Sequence, residues 1–224
     1  MPCLRARRSC TAYNALALLE LTSVRSVTVS PGMRADLVWW RNFLPGWAGA
    51  SSLPLQVWVA SRSLELETDA SYHGWGAWGD RWIHGEWSLV QRQHAGRSIM
   101  QSMPFYELYA IAQAALQWGS EWSGHRVLFV GDCHGLILAL NKGYLHRPHM
   151  AALLRVLAAY AVRHQWEWKC EWVAGESNIY ADALSRGEVQ AFRGLLPSAN
   201  PTAERLRHGT PLEDSNYSLG LSDC

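Results

Sequence analysis

Residues 64–87, LELETDASYHGWGAWGDRWIHGEW, decide the fold. Over the first six the period is two. Leu64, Leu66 and Thr68 fall on one face, and Glu65, Glu67 and Asp69 on the other, as in a strand with one face against a core. Residues 74–79 and 81–87 then read as two more strands around a Gly79-Asp80 turn, which makes an antiparallel meander.

Downstream, helices and strands alternate. Pro104 fits the first turn of a helix in which Glu107, Ile111, Ala114, Ala115 and Trp118 form a stripe running to about Gly119. Val127, Leu128, Phe129 and Val130 are apolar on both faces, which suits a covered parallel strand. Residues 134–142 carry Leu136, Ala139 and Leu140 at helical spacing, with Gly143 as C-cap. Pro148 opens a helix with Met150, Leu153, Leu154, Leu157 and Ala161 on one face. Residues 166–173 alternate as a fifth strand, and Asn178 suits the N-cap of a short helix. The order β-β-β-α-β-α-α-β-α predicts an α/β fold: a mixed five-stranded sheet with helices on its faces.

Outside this block, residues 1–32 show no sustained period and read as a loosely ordered segment closed by a Pro31-Gly32 turn. Residues 33–48 predict a short amphipathic helix, with Leu37, Trp40, Phe43 and Leu44 on its apolar stripe and Asp36 near its start. Residues 188–224, rich in Pro, Gly, Ser and charge, read as a tail.

A chain of 224 residues supports one good core. Its formal charge of +1 excludes a strongly basic arm, so any contact with nucleic acid must come from a local patch. Five cysteines, at 3, 10, 133, 170 and 224, form no C-x-x-C pair; free thiols in a reducing compartment follow, without structural zinc. No apolar run reaches the roughly 20 residues of a membrane span. The arginine-bearing start, followed by Ala15-Leu16-Ala17-Leu18-Leu19, imitates a secretory leader until Glu20 interrupts it, so a soluble intracellular protein is expected. The thirteen tryptophans cluster at 75, 78, 82 and 87 and at 166, 168 and 172, where strands would pack them.

Four acids carry the chemistry. Asp69 ends the first strand, Asp132 follows the fourth, Glu107 sits in the first turn of its predicted helix, and Asp182 lies in the late short helix. If the first and fourth strands are parallel neighbours, Asp69 and Asp132 share the carboxyl edge where open α/β sheets place ligands. Any one acid alone reads as a cap or a solvated side chain. Four in this order make a candidate site for Mg²⁺ or Mn²⁺, hard ions that prefer oxygen. Two such ions about 3.5 to 4 Å apart can activate a water and stabilise a leaving oxygen of a phosphodiester. Glu65 and Glu67 share the face of Asp69, so parity alone does not single it out. His73, His84, His94 and His125 have no coherent ligand spacing for zinc. Arg81, Arg92, Arg97, Lys142 and Arg147, with neighbouring tryptophans, are candidates for a phosphate-lining groove, or equally ordinary solvated charges.

Thr68-Asp69-Ala70-Ser71, Tyr106-Glu107-Leu108, Gly131-Asp132 and Asn178-Ile179-Tyr180-Ala181-Asp182-Ala183-Leu184-Ser185-Arg186 resemble the four motifs of the ribonuclease H domain of DIRS-like and gypsy-like retroelement reverse transcriptases. The last motif is the most specific. The resemblance implies a ribonuclease H-like domain over residues 61–187 and a metal-dependent endonuclease that cuts the RNA strand of RNA/DNA hybrids. Asp69, Glu107, Asp132 and Asp182 would be its catalytic residues and the ligands of two Mg²⁺ or Mn²⁺ ions. Ser71 is a candidate for contact with a 2′-hydroxyl. Residues 33–60 resemble the helical tether that follows the polymerase, which makes a polymerase domain an implied partner. No Tyr-x-Asp-Asp polymerase motif is present, so the chain resembles a fragment or a captured domain.

Two features depart from the pattern. Cys133 stands where such enzymes often carry a small polar residue, and residues 173–177 lack the histidine of cellular type 1 enzymes, which bears on an assisting step rather than on metal binding. A catalytically silent nucleic-acid-binding or scaffold domain is the competing reading. A proofreading exonuclease would carry Asp-x-Glu in the first strand, and an integrase-like enzyme would end on a glutamate; Asp69-Ala70-Ser71 and Asp182 fit neither.

Overall fold

The predicted meander forms. Strands β1 (Ser63–Ala70), β2 (Gly74–Trp78) and β3 (Trp82–Glu86) pair antiparallel in succession. Strand β4 (Arg126–Gly131) lies parallel to β1, with Leu64 opposite Val127 and Glu67 opposite Val130, and β5 (Glu167–Trp172) lies parallel to β4. The sheet order is β3-β2-β1-β4-β5. This computed structural model describes residues 28–46, 63–87 and 99–199. The readings for 1–27, 47–62, 88–98 and 200–224, with His94, Arg92, Arg97 and three of the cysteines, lie outside them; Cys133 and Cys170 are free thiols. Among the described residues, no helix is long and apolar enough to cross a membrane.

Helices α1 (Pro31–Phe43), α2 (Ile99–Trp118), α3 (His134–Lys142), α4 (Pro148–Arg163), α5 (Ile179–Ser185) and α6 (Val189–Leu195) complete the described elements, with short 3-10 turns. Alternation along β2 divides the packing. Trp75 and Ala77 enter the main core with Leu108, Ile111 and Ala115 of α2 and Leu154 and Leu157 of α4. Gly76 and Trp78 face the other way, towards α5 and a smaller cluster of Trp82, Ala183, Leu184 and Phe192. The mixed α/β sheet with helices against it is the architecture that the element order requires.

Three local readings change. Helix α1 begins at Pro31, two residues before the expected start, because proline suits the first helical position and the Ser30 hydroxyl accepts from the Met33 N–H at 3.2 Å. Its buried face also differs: Leu37 and Leu44 are exposed while Met33 and Asp36 are buried, since the Asp36 carboxylate pairs with Arg155 of α4 at 2.6 Å. Helix α2 starts at Ile99 rather than at Pro104, so the proline lies inside it and Glu107 stands in the third turn. Local sequence favours a boundary there; the residues that follow the proline, Phe105, Tyr106, Leu108 and Tyr109, are buried. Past residue 187, read above as a tail, α6 forms and buries Phe192 completely against Trp82. Seven residues are too short to show a period, and one buried aromatic ring is enough to seat them.

Helix α5 reaches the sheet through a glycine. A Cβ on Gly76 would stand 2.4 Å from Leu184 Cβ, 2.8 Å from the Ser185 nitrogen and 2.9 Å from the Ala181 oxygen, two of which are backbone and cannot swing aside. Gly76→Ala should therefore destabilise the chain by about 1–3 kcal/mol, the usual cost of overpacking, read as a lower urea midpoint with unchanged slope. An unchanged midpoint would show that α5 is not seated there.

Candidate metal centre

Parallel pairing levels the ends of β1 and β4. With Glu67 opposite Val130, two further steps of the register bring Asp69 level with Asp132, immediately beyond β4. Glu107 comes down from α2, and the Ala70 N–H at the end of β1 donates to its carboxylate. One oxygen from each of Asp69, Glu107 and Asp132 lies within 4.8 Å of the other two. Asp69 and Glu107 are only 5% and 6% exposed, while Asp132 is half-buried.

Such proximity is costly without a cation. Burial pushes the Asp69 carboxyl up to about 7; the Ser185 hydroxyl beside it pulls the other way, the charges of Asp132 and Asp182 push it further up, and the charge of Arg186 draws it down. Glu107 is held well above the usual carboxylate range, first by burial and then by Asp69 and Asp132, against the Ala70 N–H. Asp132 is raised by burial and by Asp182, against its own N–H. An all-oxygen set of buried, mutually repelling carboxylates fits a hard divalent cation such as Mg²⁺ or Mn²⁺. The Cys133 thiol is also pushed up, mainly by burial, so it adds no charge to the site.

Of the four expected ligands the structure brings three together. Asp182 projects from α5, and its carboxylate is gripped by Arg186: Nε reaches both oxygens at 2.9 and 3.0 Å, and Nη2 reaches Oδ1 at 2.8 Å. The main chain of α5 is nonetheless fixed beside the site. Asn178 Nδ2 donates to the Thr68 carbonyl at 3.1 Å and reaches Asp69 Oδ1 at 3.5 Å, while the Ser71 hydroxyl donates to the Ser185 carbonyl at 2.7 Å.

These contacts bear on the readings of Asn178 and Ser71. Asn178 occupies the N-cap position but makes no side-chain capping bond; buried, it is spent on tying α5 to β1. Ser71, the expected 2′-hydroxyl contact, gives its proton to Ser185 and accepts from the N–H groups of His73 and Gly74 at 3.1 and 3.4 Å. No proton is left for a ligand. Glu67 is separated from Asp69 by its bond from Trp78 Nε1 at 2.8 Å, and Glu65 is exposed. Arg81 pairs with Glu121 at 2.9 Å and lies over the Trp118 ring, so it is engaged away from any groove. Lys142 ends α3, the helix whose first residue follows Cys133, and so stands at the end remote from Asp132. Among the described residues, no histidine joins a group of three or more metal-ligating side chains.

Sequence reasoning overlooked two supports of Asp132. Trp172 Nε1 donates to its carbonyl oxygen at 2.8 Å, although the ring is half exposed. A Cβ on Gly175 would stand 2.9 Å from Asp132 Oδ2, so a larger residue there would push the carboxylate from its present position. The Gly175 signal was legible as a glycine after a strand; the Trp172 bond had none.

No protein-family model matches the chain, and no curated protein matches it in sequence. Among solved structures it is similar to ribonuclease H1 of the halophilic archaeon Halobacterium salinarum, with a TM-score of 0.39 and 16% identity, covering 57% of this chain and 98% of that one.

The raised carboxyls set a pH dependence. Asp69 moves from an ordinary 3.8 to about 7, so between those values the native state holds a proton that the unfolded chain has released. Its contribution to stability is complete below about pH 4 and is lost as pH rises towards 7. In chelator, the melting temperature of the wild type should fall across that interval relative to Asp69→Asn, and saturating Mg²⁺ should recover it more at pH 8 than at pH 5. A difference between the two proteins that does not change with pH would contradict this.

Proposed function

We propose that this chain is a metal-dependent endonuclease that hydrolyses the RNA strand of RNA/DNA hybrids, using two Mg²⁺ or Mn²⁺ ions. The observation that carries the reading is the meeting of Asp69, Glu107 and Asp132, from three separate elements, within 4.8 Å at the carboxyl edge of two parallel strands. Bound divalent ions would supply an activated water and stabilise the leaving oxygen.

The chain's own residues have distinct tasks on this reading. Asp69 and Asp132 hold the ions from the sheet edge; Glu107, fixed by the Ala70 N–H, closes the third side. Asn178 orients Asp69, and Asp182 supplies the fourth carboxylate. With its proton given to Ser185, Ser71 would meet a 2′-hydroxyl only as an acceptor. The Asp182 motif supports a retroelement origin inside the cell, and α1, docked through Asp36 and Arg155, would be the tether to a polymerase domain.

One observation favours the competing reading, a silent domain that binds hybrids without cutting: the fourth acid is paired with Arg186. A cleavage assay on a labelled hybrid, titrated with Mg²⁺ and Mn²⁺, separates the two. Metal-dependent cutting of the RNA strand is expected, with a loss of at least about a hundredfold in Asp132→Asn, the scale of removing a transition-state contact, and no loss of melting temperature. Hybrid binding without cutting at any metal concentration would establish the silent domain instead.

A further inference from the structure

The two classes of acid in this site are treated differently. Asp69, Glu107 and Asp132 face one another without an ion pair to any of them among the described residues, whereas Asp182 has both oxygens in the fork of Arg186. The backbone cannot be the cause. Three independent restraints fix α5 against β1 and β2: the Asn178 bond to Thr68, the Ser71 bond to Ser185, and the Gly76 contact with Leu184, Ser185 and Ala181. Asp182 is thus held beside the trio, close enough for its charge to act on Asp69 and Asp132, and only its side chain is free to choose a partner.

We infer that Arg186 is a built-in competitor for Asp182, occupying the fourth carboxylate until a cation displaces it, and so acts mainly on the affinity of the second of two metal ions. The inference rests on the two-ion reading above. A guanidinium stays charged at every accessible pH, so the competitor cannot be removed by titration. Both partners are roughly half exposed, at 52% and 40%, and an exposed pair of this kind is weak enough to be exchanged. The first ion would enter the trio, whose oxygens form no ion pair among the described residues. The second would require rotation of Asp182 out of the fork, an exchange of one ion pair for another with no movement of the helix.

Mn²⁺ binding to the full chain, counted by the electron paramagnetic resonance of free Mn²⁺, tests this without activity as the readout. Wild type, Arg186→Gln and Arg186→Lys should all keep a tight site, changed less than the weaker one, since the Arg186 charge reaches Asp69 only at a distance. The weaker site should tighten about two- to fivefold in Arg186→Gln, the worth of an exposed ion pair, and by less in Arg186→Lys, which keeps the charge but cannot form the fork. Asp182→Asn should lose the weaker site alone. A weaker site that is unchanged or loosened in Arg186→Gln overturns the inference while leaving the metal centre standing. Failure of the wild type to show a tight site would sink the centre itself, and the inference with it.

Discussion

The parallel pairing of β1 with β4 is the constraint on which the rest depends. It joins a strand from the opening meander to one that arrives after a helix of 20 residues, and it sets two carboxylates level. Its α2 side is apolar, with Leu66, Val127 and Phe129 in the main core. The Thr68 hydroxyl leans across to the Val130 carbonyl at 3.4 Å, close to the point where the chains diverge. A slip of one residue would move Asp69 to the opposite face of the sheet from its present position, so register and chemistry are fixed together.

That geometry forces unfavourable electrostatics into a small volume. Three carboxylates converge, two of them almost wholly buried, and all three are raised by burial before any charge is counted. The fold tolerates this because the repulsion is local, whereas the packing is spread over the sheet: Trp75, Trp118, Trp166 and Trp168 are almost completely buried, and large apolar side chains contribute about 1.5–3 kcal/mol each. Backbone and amide donors, from Ala70 and Asn178, soften the remainder. A site that is strained when empty of charge compensation has more to gain from a divalent cation, which links the buried acids to the proposed chemistry.

The architecture was legible because each strand announced itself by period or composition. Alternation exposed β1, the all-apolar Val127–Val130 run exposed β4, and element order implied their parallel contact before any geometry. Three acids followed from that order. What stayed hidden depends on partners far apart in the chain. Nothing local distinguishes an asparagine that caps a helix from one that reaches Thr68, 110 residues away, and the same holds for Ser71 and Ser185, 114 apart. Asp36 carried a favourable helix-start signal that concealed its burial against Arg155. Two further signals lie in the sequence: a glycine within a strand marks a close approach, as Gly76 shows, and the spacing of Asp182 and Arg186 is that of a helical ion pair.

Anomalous diffraction from a crystal grown with Mn²⁺ tests the central claim most directly. The account predicts a peak bonded to an oxygen of each of Asp69, Glu107 and Asp132, at the carboxyl edge between β1 and β4. A crystal with Mn²⁺ bound elsewhere on the chain and no density among these three carboxylates would contradict it.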